Sequence, residues 1–143
     1  MNRLNGKLNY QRQFALEHNS MELTLRILLG LVTLICFLGG MNLLIKGAHS
    51  FLPEPARPQP VLDNLFRFLS GIYFGLGFLM AWVLFHIQEA GDLIYFIGIV
   101  VVFSGLGRLY SRVKVGSAGN YFDSMMIVEI ALGILIILVQ YLR

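Results

Sequence analysis

Charged residues are scarce in this sequence, which has 13% Asp, Glu, Lys and Arg against 57% apolar residues. The mean hydropathy is +0.71. A soluble globule with so little polar material could not cover its own surface, so lipid must surround much of the chain. The sequence also lacks a run of Lys or Arg, and its net charge is only +3, which argues against a nucleic-acid partner. Its 143 residues correspond to one domain.

Residues that usually hold metals or cofactors are also few. The single cysteine, Cys36, excludes an internal disulfide and a cysteine-based metal cage. The three histidines, His18, His49 and His86, lie in separate segments without a partner four residues away, so we expect no metal site. No glycine-rich nucleotide fingerprint occurs. We therefore expect no cofactor, and an enzyme is the less favoured class.

Long apolar runs dominate what remains. Four windows have the roughly 20 residues that a helix needs to cross a bilayer: 25–45, 65–85, 93–110 and 122–142. Their hydrophobicity is continuous rather than alternating, which favours helices over barrel strands. Short connections make consecutive helices antiparallel neighbours. The sequence predicts an all-α, polytopic membrane protein whose residues 25–143 form an antiparallel bundle of four transmembrane helices.

The segments outside these windows are of two kinds. Residues 1–24 are polar, and we expect a partly ordered or interfacial segment, either a cap or a tail. Met21 is an alternative start, so residues 1–20 could be absent from the native product. Between the first two spans, the prolines predict a stiff extended or re-entrant connector at the interface: Pro53, Pro55, Pro58 and Pro60.

The positive-inside rule gives no orientation for the four spans. With Arg67 set aside, each side of the membrane receives five basic residues. One side has Arg3, Lys7, Arg12, Arg26 and Arg143, and the other has Lys46, Arg57, Arg108, Arg112 and Lys114.

Glu129 is the most informative residue, because it lies inside the fourth span. Asp123 marks the polar edge of that span, so Glu129 is roughly 9 Å deeper at helical rise. A lone charge at membrane depth costs about 2.5–3.5 kcal/mol on insertion scales, so this carboxylate needs a partner.

Two arginines can reach it from the same side of the membrane. Arg67 lies one turn inside the second span and Arg108 lies near the end of the third. Arginine binds a carboxylate through two parallel hydrogen bonds, which lysine cannot do. We predict a polar cluster of Arg67, Arg108 and Glu129, with Asn42 at the end of the first span as a weaker member.

Small residues share the helical faces of these charges and predict close helix packing there. They are Gly71, Gly75, Gly105, Gly107 and Gly133.

Other interpretations of the three charges stay open. Arg67 could extend to lipid headgroups, and Arg108 could form an interfacial basic patch with Arg112 and Lys114. Glu129 could be neutral and hydrogen bonded, part of a structural ion pair, or engaged in ligand or proton handling.

Three segments carry a resemblance to a known family. They are "LFRFLSGIYFGLGFLMAW", "SGLGRLYSRVKVG" and "MMIVEIALGILII". Together they resemble the hallmark segments of a bacterial family of small four-helix membrane proteins, a domain of unknown function of the 4345 type. That family looks distantly similar to DoxX-like proteins. The likeness covers residues 25–142.

The resemblance implies site residues but no reaction. The family pattern falls on Arg67, Ser70, Gly71, Tyr73, Gly75, Gly107, Arg108, Leu109 and Glu129. Tyr73 thereby joins the candidate cluster. The resemblance also implies a bacterial inner membrane with cytoplasmic termini.

Three functional hypotheses follow. The first is a binding or accessory module whose Arg/Glu cluster holds an anionic group or a lipid headgroup. The second is a small proton-coupled transporter that uses Glu129, although a nearby arginine would make it a poor proton carrier. The third, invited by the DoxX-like analogy, is a quinone-linked redox partner. Membrane lipids are the expected partners, together with a second copy of the chain or a larger membrane complex.

Overall fold

Helices make up nearly all of the computed structural model, which describes residues 2–52 and 59–143. They are α1 (Asn2–Lys46), a 3-10 helix (His49–Phe51), α2 (Pro60–Phe85), α3 (Ile87–Ala90), α4 (Leu93–Val115) and α5 (Asn120–Leu142). The described ranges contain no strand. Four segments are long and apolar enough to cross a membrane: Asn9–Lys46, α2, α4 and α5. The predicted all-α protein with four membrane-length helices is confirmed.

The helices extend beyond the apolar windows. α1 begins at Asn2 rather than at residue 25, since hydropathy marks the lipid-soluble part of a helix and not its full length. α2 begins at Pro60, a residue type that suits the first helical turn because its missing N–H has no partner there anyway. α4 continues to Val115. Gly116 follows it with a φ of 106°, a backbone conformation that glycine adopts without steric cost. The predicted connector prolines Pro53, Pro55 and Pro58 lie outside the described residues.

The chain divides into two compact units. Unit 1 contains residues 2–28 and 87–143, and unit 2 contains the described residues between 29 and 86. α1 contributes its first part to unit 1 and its second part to unit 2.

In unit 2, the second part of α1 runs antiparallel to α2. The contacts follow opposite sequence order in the two helices, since the Phe37 ring packs at Gly77 whereas the later residue Gly40 faces the earlier residue Ser70. Cys36 is buried in this contact, with its sulfur 4.0 Å from that of Met80. The cysteine therefore serves as a packed apolar residue.

In unit 1, α4 and α5 form an antiparallel pair whose backbones approach closely. A Cβ added to Gly133 would lie 2.6 Å from the carbonyl oxygen of Gly98 and 2.7 Å from the backbone nitrogen of Val102. A Cβ added to Gly105 would lie 2.5 Å from Ile130 Cγ1. In lipid, helices associate through such packing rather than through hydrophobic burial. The close approach brings the polar side chains at the end of the pair within reach of one another.

Candidate functional site

Glu129 lies on the face of α5 that packs against α4. Its side chain is 8% exposed. Gly133, one turn further along α5, and Gly105 on α4 allow the two helices to approach at this level. The close contact removes the carboxylate from lipid, as a charge within a membrane-length helix requires.

Arg108 binds Glu129 through a two-pronged hydrogen bond. Its Nε donates to Glu129 Oε2 at 2.8 Å, and its Nη2 donates to Oε1 at 3.1 Å. The Arg108 side chain is 30% exposed, so the carboxylate of the pair is more buried than the guanidinium. This geometry gives both orientation and strength to the contact. The structure thus brings together two of the three charges that the sequence grouped.

A second ion pair continues toward the turn between α4 and α5. Arg112, one helical turn after Arg108, pairs with Asp123 at the start of α5. Ser117 Oγ donates to Asp123 Oδ2 at 2.7 Å and accepts the backbone N–H of Gly119 at 3.1 Å. Arg108 and Arg112 therefore form two successive rungs between the helices, which we call the ion-pair ladder. Sequence reasoning missed the second rung, although the four-residue spacing of the arginines signalled a shared face.

Arg67 forms its ion pair with a different acid. In unit 2, its Nε donates to Asp63 Oδ2 at 2.7 Å, and its Nη1 donates to the carbonyl oxygen of Leu44 at 2.7 Å. Asp63 Oδ1 accepts the backbone N–H of Ala48 at 3.2 Å. These bonds satisfy backbone groups where α1 ends, which would otherwise lack partners. The i, i+4 spacing of Asp63 and Arg67 was visible in the sequence as a signal for this pair.

Gly47 makes this arrangement possible. Its φ is 57°, a left-handed conformation that terminates α1 in the usual way. A Cβ at this position would collide with the Asp63 carboxylate and lie 3.1 Å from Arg67 Nη2. We call the group of Leu44, Gly47, Ala48, Asp63 and Arg67 the α1 clasp.

The α1 clasp belongs to unit 2, whereas Glu129 and Arg108 belong to unit 1. The proximity of Arg67 to Glu129 therefore stays a prediction. The finding for Arg67 is its pairing with Asp63 inside its own unit. Arg67, Arg108 and Arg112 each pair with a different acid, which is Asp63, Glu129 or Asp123 respectively.

The remaining candidates fall in different surroundings. Asn42 and Tyr73 are both half-buried in unit 2, and the Tyr73 ring lies 3.4 Å from where a Cβ on Gly39 would be. A Cβ on Gly71, Gly75 or Gly107 would meet no described atom within 4 Å. The structure therefore places tight packing at Gly105 and Gly133 and gives the other three predicted glycines no such contact within the described ranges. Gly98, absent from the predicted set, joins the tight contact.

Unit 1 has a second polar group at the opposite end of α4. Glu22 Oε1 accepts two hydrogen bonds from Arg26, at 2.8 and 3.1 Å, and its other oxygen accepts Gln88 Nε2. Gln140 Nε2 donates to the carbonyl oxygen of Gly91 at 3.2 Å. Arg143 Nη1 donates to the carbonyl oxygen of Ile87 at 3.3 Å. These bonds tie the middle of α1 and the C-terminal end of α5 to the segment before α4, and the sequence did not predict them.

Among residues 2–52 and 59–143, no three His, Cys, Asp or Glu side chains lie close enough together to hold an ion.

A family model described as "Domain of unknown function (DUF4345)" matches residues 24–140. No curated protein matches the chain, and no solved structure matches it. The family match confirms the resemblance seen in the three sequence segments, and it covers the ion-pair ladder and the α1 clasp.

Proposed function

The chain belongs to the DUF4345 family, and from this premise we propose that it is a non-enzymatic membrane protein that binds anionic lipid headgroups at the α4–α5 turn. The ion-pair ladder holds the two helices together below that turn. The turn itself offers the positive charge and the aromatic side chains that a headgroup needs. The proposal retains the binding-module hypothesis but places the anion at the edge of the polar cluster rather than inside it.

The observation that carries the proposal is the charge balance at this end of unit 1. Three cations, Arg108, Arg112 and Lys114, accompany two carboxylates, Asp123 and Glu129. Both carboxylates are taken by arginines. Lys114 then supplies the excess positive charge, and it lies in the last turn of α4, where the helix dipole favours a cation.

Exposed tyrosines on α4 and α5 at this end of unit 1 suit the membrane interface. Lys114 Nζ lies 5.9 Å from the centroid of the Tyr110 ring. Tyr110 and Tyr121 are 66% and 60% exposed. Tyrosines prefer the headgroup level because the ring is apolar and the hydroxyl is wet. A basic residue near an anionic leaflet contributes about 1 kcal/mol to lipid attraction.

The geometry of Glu129 weighs against the proton-transport alternative. A carrier carboxylate must gain and lose a proton during each cycle. Both oxygens of Glu129 accept hydrogen bonds from Arg108, and protonation would break that arrangement. The two hydrogen bonds fit an ion pair that stabilises helix packing better than they fit a proton carrier. The quinone-linked redox hypothesis and the distant DoxX-like relation stay predictions.

We also place the protein in a bacterial inner membrane, with its termini in the cytoplasm, as the family resemblance implies. Large apolar side chains remain exposed on membrane-length helices, including Phe78, Phe103 and Ile127. Such surfaces suit contact with acyl chains or with another membrane protein. Assembly into a homo-oligomer or a larger complex stays a prediction.

Native mass spectrometry tests the lipid proposal. Purified protein in detergent is supplemented with equal amounts of phosphatidylglycerol and phosphatidylcholine, and the retained lipid is counted. We expect phosphatidylglycerol to be retained more, and Lys114→Gln to weaken its binding about fivefold. Arg12→Gln is the control. Arg12 precedes the apolar part of α1 by roughly 20 Å of helix, so its charge is separated from the membrane by more than the Debye length and should contribute little to lipid binding. Equal losses in the two variants, or no preference in the unmodified protein, would refute the proposal.

A further inference from the structure

One side of α4 carries large apolar side chains in a regular order. They are spaced three and four residues apart and alternate between an aromatic and an aliphatic residue: Phe96, Ile99, Phe103, Leu106, Tyr110 and Val113. All six are exposed, and we call them the α4 seam. This spacing is the heptad order of a helix that pairs with another helix, with aromatic residues at one core position and aliphatic residues at the other.

The opposite side of α4 is already occupied inside unit 1. Gly98 and Gly105 pack against α5, and Arg108 pairs with Glu129. At helical geometry, Phe103 points about 160° away from Gly105. The α4 seam therefore lies on the side of the helix that faces away from α5.

Contact with lipid explains the ends of the seam better than its middle. Aromatic side chains are enriched at both membrane interfaces, which suits Phe96 near the start of α4 and Tyr110 near its end. Phe103 lies at the middle of α4, and its side chain is 67% exposed. Gly107 follows one turn later, and a Cβ there would meet no described atom within 4 Å. An exposed ring beside an open glycine allows a second helix to approach closely.

The seam is apolar and large enough for a stable contact. From Phe96 to Leu106 the sequence contains no Asp, Glu, Lys or Arg, so a partner helix would not bury a charge there. The three aromatic side chains are 63–67% exposed. At about 200 Å² each, they present about 400 Å². Each partner in a standard interface buries about 800 Å², so these rings supply about half of that area before the aliphatic side chains are added.

We propose that the α4 seam binds the α4 seam of a second copy of this chain. Two copies inserted in the same orientation are parallel, so a twofold axis along the membrane normal relates them and each residue meets its own equivalent. Phe103 and Leu106 then lie at the centre of the contact. Tyr110 lies at its end, where the ring contacts the second copy and the hydroxyl stays at the headgroup level. The contact does not require lipid binding at Lys114.

Cysteine cross-linking in proteoliposomes tests the contact. In a Cys36→Ala background, Leu106→Cys is compared with Ile134→Cys. The native side chains are 40% and 47% exposed, and each lies near the middle of its helix. Residues that meet across the twofold axis are close enough for a disulfide. We expect mild oxidation to give a covalent dimer in Leu106→Cys and to leave Ile134→Cys monomeric. Monomeric Leu106→Cys, or equal dimer in both variants, would overturn the proposal.

Dimer affinity gives a second measurement that needs no introduced cysteine. Sedimentation equilibrium in a density-matched detergent yields the dissociation constant of the full chain. Phe103→Ala should raise this constant about tenfold, because it truncates an aromatic side chain at the centre of the contact. Ile134→Ala, on the exposed side of α5, should leave it unchanged, and circular dichroism checks that both variants fold. A protein that stays monomeric, or a dimer that Phe103→Ala weakens no more than Ile134→Ala does, would overturn the proposal.

Discussion

Removal of the Glu129 carboxylate is expected to destabilise the protein more than removal of the neighbouring Arg112 guanidinium. In Glu129→Ala, the guanidinium of Arg108 loses the two hydrogen bonds at 2.8 and 3.1 Å. Breaking a buried ion pair by removing one partner costs about 3–5 kcal/mol. Arg108 is 30% exposed and can recover part of its solvation, so we expect a loss of about 2–3 kcal/mol.

Arg112→Ala provides the matched comparison. It breaks the other rung of the ion-pair ladder, on the same two helices, but the Arg112 side chain is 45% exposed. Exposed ion pairs contribute about 0–1 kcal/mol. The predicted difference between the two variants is therefore about 1–3 kcal/mol, which a shared effect on expression or detergent behaviour would not produce.

Equilibrium unfolding in mixed micelles of SDS and a mild detergent, followed by circular dichroism, measures both values. A third variant, Arg108→Met with Glu129→Leu, removes both charges and keeps the packing volume. It should be within about 1 kcal/mol of the unmodified protein, because replacing a whole buried pair by apolar residues is often neutral. A Glu129→Ala variant no less stable than Arg112→Ala would show that Glu129 is hydrated and unpaired, and the reasoning would be refuted.

Three further predictions concern packing, the end of α1 and topology. Gly133→Ala should lower the free energy of unfolding by about 1–3 kcal/mol through overpacking, whereas Gly71→Ala should have no such penalty; equal losses in equilibrium unfolding would contradict this. Gly47→Ala should reduce the thermal midpoint measured by circular dichroism, because the left-handed backbone and the collision with the clasp both oppose a side chain; an unchanged midpoint would count against the clasp. The third prediction concerns topology and uses a cysteine-free background with Ser117→Cys or Glu89→Cys. A membrane-impermeant maleimide should label the two variants from opposite sides of the membrane, and it should label Glu89→Cys from the cytoplasm. Labelling of both variants from one side would refute the proposed topology.

Much of the fold could be predicted because hydropathy is a local property. Each apolar window is long enough to cross a bilayer by itself, so four helices followed without knowledge of any contact. The helix ends were less predictable. Residues 2–24 are polar, yet no proline interrupts them or the rest of α1, so the helix continues beyond the apolar part.

The candidate site was predictable to a smaller extent. A carboxylate inside an apolar run demanded a partner, and Arg108 is the partner that the structure gives to Glu129. The pairing of Arg67 with Asp63 and the tight contacts at Gly98, Gly105 and Gly133 depend on how each helix is rotated about its axis. Glycines at helical spacing mark a face that can pack closely, but they do not say whether a helix meets that face. Gly71 and Gly75 have this spacing without such a contact among the described residues.

The sequence by itself determined that this protein is helical, that four of its helices are long and apolar enough to cross a membrane, and that Glu129 needs a polar partner, because these follow from the cost of exposing backbone and charge to hydrocarbon. Only the tertiary structure decided which arginine meets which acid. Ion pairing requires atoms to lie within about 3 Å, and that distance is set by helix rotation, by close backbone approach at glycine and by the turns that join the helices.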